Sequence, residues 1–230
     1  MASYSVKTKA PNLPIPTIQY SQTQLETFNN ALRLYFNTLD AFTSNINNTI
    51  GAAGLKLPAV AASDSTTQYA TVVSGSANNI PTIVAWNTLD FANGFTLNAN
   101  NTATATYSGT YKITYSLQFA NSDNTSDIDV VVWLRVNGNT STQDVPGSAT
   151  IFTIPKGKST TVSSYICGYS EAVFTLNAGD YVGLWWGSAT AAISGGAKGT
   201  YIHAEAAATT PMAYPSVPSA IGSITFVSAA

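Results

Sequence analysis

The sequence predicts a mainly β protein, a sandwich or barrel, preceded by one helix and an extended arm. Three observations carry this. Period-two alternation dominates from about residue 66 onward, a heptad of apolar side chains precedes it, and prolines punctuate both ends of the chain. The 230 residues include only 9 Lys or Arg and 11 Asp or Glu, 9% charged against about 25% in an ordinary soluble domain. Aromatics reach 11%. That combination excludes a disordered chain, which pairs high charge with few aromatics. It also excludes a nucleic-acid partner, since nine basic residues in no cluster neutralise few phosphates.

Residues 1–20 read as an extended segment. Pro11, Pro14 and Pro16 fix φ and push their predecessors toward β or polyproline geometry. Leu13, Ile15 and Ile18 are apolar but cannot form a core alone. The segment is either a frayed terminus or a docking arm, made of Leu13, Pro14, Ile15, Pro16 and Ile18, that orders against a partner. Its first ten residues lack the apolar run of a secretory signal, so none is expected. No stretch approaches the roughly 18 apolar residues of a membrane span, so membrane insertion is not expected.

Residues 21–50 carry the clearest periodicity. Leu25, Phe28, Leu32, Tyr35, Leu39, Phe42 and Ile46 are spaced 3, 4, 3, 4, 3, 4, an a/d heptad seam. Ser21 or Thr23 can cap the N-terminus, and Gly51 lies just beyond the end. Asn29, Asn30, Arg33, Asn37, Asn45 and Asn47 fill off-seam positions, diluted by Leu34 and Phe36. Two readings stand: a helix lying on its own domain, or a short coiled coil. Aromatics at d fit poorly in a two-stranded core, so the coiled coil would be trimeric.

Residues 51–65 are rich in small side chains without periodicity and read as a linker to a β body at 66–208. Tyr111, Ile113, Tyr115, Leu117 and Phe119 alternate with Lys112, Thr114, Ser116 and Gln118. Ile128, Val130, Val132, Leu134 and Val136 form a second apolar face, opposed by Asp129, Val131, Trp133 and Arg135, so this strand is partly covered on both sides. Further strands are expected at 69–73, 82–86, 102–107, 161–168, 172–176, 180–186 and 199–207. Turns fall at Asn93-Gly94, Asn137-Gly138, Lys156-Gly157 and Ala178-Gly179-Asp180. Residues 209–230 form either a last strand or an exchanged arm.

Three stretches resemble the ten-stranded jelly roll shared by the complement C1q head and tumour necrosis factor. They are Gly109 to Tyr115, Val132 to Asn139 (VWLRVNGN) and Phe174 to Val182, with its Leu176-Asn177-Ala178-Gly179-Asp180 strand start. The resemblance implies a jelly-roll sandwich and a homotrimer. The N-terminal stretch is similar to structural proteins of marine tailed phages. Leu13-Pro14 precedes Leu32-Arg33-Leu34-Tyr35-Phe36-Asn37-Thr38-Leu39-Asp40, over about 30 residues. That likeness implies a virion component whose partners are other virion proteins of capsid, neck or tail.

No Gly-x-Ser-x-Gly elbow, phosphate-binding loop or dinucleotide fingerprint is present, so no enzyme activity and no cofactor is expected. His203 reads as a strand histidine beside Tyr201 and Glu205. Cys167 reads as a small buried apolar residue. Asp123, Asp127 and Asp129, with Asn121, Asn124 and Thr125, form the one acidic cluster, read as a solvated hairpin loop with calcium as the lesser alternative. The functional expectation is a homotrimeric virion fibre or capsid-decorating protein anchored by its arm. The alternative is an adhesin head whose loops or aromatic side chains engage host surface glycans.

Overall fold

The computed structural model describes residues 21–50, 57–72, 79–159, 161–189 and 199–229, with the backbone alone at 42–50, 71–72 and 79. The chain divides into two compact units between Lys56 and Leu57. The docking arm lies outside the described residues, as do residues 51–56 of the linker.

In the first unit, α1 spans Gln22–Ile50, 29 residues or about 43 Å. Of the two candidate caps, Ser21 serves: its carbonyl accepts from the Leu25 amide at 3.1 Å and its Oγ from the Gln24 amide at 3.4 Å. The first turn holds no acidic and the last turn no basic side chain, so no charge complements the helix dipole. Stability of such a helix rests on packing of its apolar stripe.

The second unit is mainly β, a sandwich of two antiparallel sheets. Its strands begin with β1 (Ala59–Asp64), β2 (Gln68–Tyr69), β3 (Thr71–Val72), β4 (Asn79–Ile80) and β5 (Thr82–Ile83). Next come β6 (Thr88–Asn93), β7 (Phe95–Leu97), β8 (Ala103–Ala105), β9 (Gly109–Asn121) and β10 (Ile128–Val136). The last are β11 (Thr150–Ile154), β12 (Ser164–Leu176), β13 (Tyr181–Ser188), β14 (Thr200–Ile202) and β15 (Ala220–Ser228). The larger sheet runs β2-β14-β9-β15-β1-β6, with β12 on the other edge of β9. The smaller runs β11-β10-β13-β8-β7, with β5 also on β13. Strands β3 and β4 pair separately.

The alternation read in the sequence places the core. Tyr111, Ile113, Tyr115, Leu117 and Phe119 point inward from β9, and Ile128, Val130, Val132 and Leu134 from β10. Leu184 and Trp186 of β13 close the layer; the Phe119 and Trp186 rings lie 6.0 Å apart. Tyr111 is fully buried edge-to-face with Phe95 and Phe226, and its hydroxyl donates to the Tyr107 carbonyl at 2.7 Å.

Three expectations are corrected, and the last-strand alternative for the C-terminal segment is the one found. Residues 59–64, read as linker, form β1, so the sandwich begins before residue 66. AVAASD lacks bulky alternation, and its strand state comes from pairing on both edges with β15 and β6. The strands expected at 161–168 and 172–176 are one, β12, paired with β9 along all 13 residues. Within it Gly168 is required by close approach, since a Cβ there would lie 2.8 Å from the Phe119 ring. Residues 220–228 form a strand between β9 and β1 of the same chain. Cys167 is exposed, not buried, because inward Gly168 fixes the parity of its neighbours.

Candidate interaction surfaces

The seam of α1 is amphipathic but uncovered. Leu25 is 46% exposed, and Phe28, Leu32, Tyr35 and Leu39 are only half-buried. The side chains of Phe42 and Ile46 lie outside the described residues. Off the seam, Leu34 and Phe36 are exposed, with Phe36 edge-on to Tyr35 at 5.9 Å. Asn30 accepts from Arg33 at 3.2 Å, one turn along the polar side.

The outer side of the larger sheet is a second uncovered surface. Register puts Val173 beside Lys112 and Thr225, Tyr169 beside Ser116 and Ile221, and Phe91 beside Ala61. Val173, Tyr169, Ile221 and Phe91 are each at least half exposed. Small side chains lie between them, and Lys112 pairs with Glu171 at 3.3 Å, an exposed bridge of little energetic weight. Such a face, flat and nearly uncharged, offers apolar area without a desolvation penalty for many charges. Exposed Cys167 lies on it, its Sγ 3.1 Å from Ser116 Oγ.

At one end of the same sheet an aromatic group gathers from three strands. The Tyr69 and Tyr201 rings lie 5.6 Å apart, Tyr165 lies 5.0 Å from His203, and His203 Nε2 meets Glu205 Oε2 at 2.7 Å. His203 is thus held beside a carboxylate, with its amide donating to the Gln118 carbonyl.

The acidic loop does not converge. Asp123 Oδ1 accepts from the amide and hydroxyl of Thr125, Asp127 Oδ1 from the Lys156 amide, and Asp129 Oδ1 from the Thr153 hydroxyl. Each carboxylate closes its own turn or strand contact. Among the described residues no group of three or more His, Cys, Asp or Glu side chains could hold a metal ion.

Two sequence motifs far apart in the chain do meet. Asn137 Nδ2 donates to Asp180 Oδ1 at 2.6 Å, and the Asn177 amide to Asp180 Oδ2 at 2.7 Å. The Tyr181 amide returns to Asn137 Oδ1 at 3.0 Å. The Asn137 side chain, then the Asn177 amide, hold the Asp180 carboxyl below the usual carboxylate range. This knot locks the turn after β10 to the start of β13, and it needs Asn137 at a φ of 58°.

Fold and surfaces together define an antiparallel β-sandwich head and a separate helical unit, each with an uncovered apolar face. No protein-family model and no curated protein matches the sequence. Among solved structures it is similar to the globular domain of the zebrafish complement 1qA protein. The identity is 14%, with 76% of this chain and 100% of that chain covered at a TM-score of 0.43. No helix among the described residues is long and apolar enough to cross a membrane.

Proposed function

We propose that the chain is a homotrimeric head-and-stalk structural protein of a virus particle, a fibre or capsid-decorating component that works by association and not by chemistry. The observation that carries the assembly is the heptad seam of α1, whose described side chains are exposed or half-buried. The exposed apolar side chains on the outer face of the larger sheet support it as a second area that association could bury. In this reading the three helices bury their seams at about 25 cal/mol per Å². The arm of residues 1–20 gains avidity from being present three times. The particle setting rests on the N-terminal likeness to marine tailed-phage proteins. The test is the mass of the purified chain by light scattering. A trimer is expected, and a monomer at micromolar concentration overturns the reading. Labelled antibody against the chain should decorate purified particles, and unlabelled particles would remove the virion setting.

A second reading, attachment to surface glycans by the head, is favoured by the exposed aromatic side chains of the sandwich. The two readings coexist in one molecule, since a trimer multiplies weak contacts of each head.

A further inference from the structure

The outer side of the smaller sheet carries a feature that self-association does not use. Along β13, Tyr181, Gly183, Trp185 and Gly187 alternate with the inward Val182, Leu184 and Trp186. Across from them β10 sets Arg135 opposite Gly183, Trp133 opposite Trp185 and Val131 opposite Gly187. The two glycines make room. A Cβ on Gly183 would stand 3.1 Å from Trp185 Nε1, whereas one on Gly187 would meet no atom nearer than 3.9 Å.

Two clefts result, one for each indole. The first, about 380 Å³, is lined by Trp133, Val131, Gly187, Ser188, Pro81 and Asp144. The second, about 340 Å³, is lined by Trp185, Tyr181, Asn100, Thr102 and Asn139. Both lie at the small end of the ligand-site range of about 300–1,000 Å³, where a few polar groups converge on an aromatic wall.

Between the clefts, Arg135 is only 5% exposed, its guanidinium carbon 5.3 Å from the Trp133 ring centre and 4.6 Å from that of Trp185. Its Nε donates to Asp144 Oδ1 at 2.6 Å and its Nη1 to the Asn139 carbonyl at 2.6 Å. Trp133 Nε1 donates to the same Asp144 oxygen at 2.8 Å. Two hydrogen bonds hold Arg135 against both rings, and a third holds the Trp133 indole itself, so the aromatic wall is ordered before any ligand arrives. Trp185 Nε1 is buried without a partner, a donor whose desolvation has not been compensated.

We propose that these clefts are adjoining subsites for two neutral sugar rings of a surface glycan. An indole offers a flat apolar wall to the C–H face of a pyranose. The amide nitrogens of Asn100 and Asn139 match sugar hydroxyls at its rim. The Asp144 charge is met by Arg135, so the site has no net charge to select an anion or a cation. A proline-rich peptide also suits aromatic grooves, but leaves the two rim amides unused. This inference deepens the attachment reading and rests on it.

The full chain is screened on an array of neutral and acidic glycans, and hits are titrated by tryptophan fluorescence. Neutral glycans are expected to bind and acidic monosaccharides are not. Gly187→Val builds into the open floor of the first cleft, and Asn139→Ala removes an amide from the second while keeping the backbone carbonyl that Arg135 uses. Each should weaken binding by about tenfold, with the melting temperature and the light-scattering mass unchanged. Retention of no neutral glycan overturns the site, as does displacement of a bound glycan by a peptide copying residues 9–20. Glycan binding indifferent to both substitutions overturns these clefts but leaves attachment by another surface standing. A trimer that binds no glycan leaves the assembly reading intact.

Discussion

Truncating Leu32 tests the stalk most directly. The residue sits mid-seam and is only half-buried, so on the proposed trimer reading Leu32→Ala removes apolar area that the partner helices would cover. Full burial of a leucine is worth about 1.5–3 kcal/mol, and the part already covered argues for the low end, about 1.5 kcal/mol per chain. Three copies lose about 4.5 kcal/mol together, or about three orders of magnitude in the trimer association constant. The midpoint concentration of a three-chain equilibrium varies as the inverse square root of that constant, so it should rise about 30-fold. Sedimentation equilibrium over a concentration series measures it. All four tryptophans, Trp86, Trp133, Trp185 and Trp186, belong to the sandwich, so tryptophan fluorescence melting reports on the head alone. The head's melting temperature should stay within a degree or two. Leu34→Ala, at an exposed off-seam position, is the control and should shift neither quantity. An unchanged midpoint for Leu32→Ala, or an equal shift for Leu34→Ala, would refute the seam.

Three further outcomes are expected. Leu117→Ala, at a fully buried position on the central strand β9, should cost about 2–5 kcal/mol, and a fall in the tryptophan melting temperature of about 5 °C or more checks it. The Asp180 carboxyl, held below its usual range by Asn137 and Asn177, contributes stability that is present above the unfolded carboxylate pKa of about 4 and lost as pH falls through the lower folded value. Melting against pH should therefore show an acid-side decline that shrinks in Asp180→Asn; an identical decline in that variant counts against the knot. With only 9% charged residues, the melting temperature should move little between low and seawater-like ionic strength, and a large shift would contradict a fold held by neutral contacts.

The helix and the sandwich core were both legible before folding was considered. A 3,4 spacing from Leu25 to Leu39 and a two-residue spacing from Tyr111 to Phe119 each state which side chains share a face, and the structure keeps both. Strand β1 was not legible, because Ala59 to Asp64 has no bulky alternation and becomes a strand only through ladders to β15 and β6. Strand β12 was misread at its middle for a related reason. Gly168 looks like a break locally, yet it is the residue that lets the strand lie against Phe119. The partners of the acidic loop were not legible: Asp123 accepts from neighbouring Thr125, but Asp127 accepts from the Lys156 amide and Asp129 from the Thr153 hydroxyl, 29 and 24 positions away.

The sequence by itself determined periodicity, and with it the seam, the inward faces of β9 and β10, and a surface that relies on hydroxyls and amides in place of charge. Only the tertiary structure decided what stands beside what. Cross-strand register set Trp133 opposite Trp185 and Arg135 opposite Gly183, and it brought Asn137 to Asp180 across 43 positions of chain. Spacing along a strand fixes the side of the sheet to which a residue points, whereas its lateral neighbour depends on pairing between distant segments, and that pairing is settled by burial of the whole core.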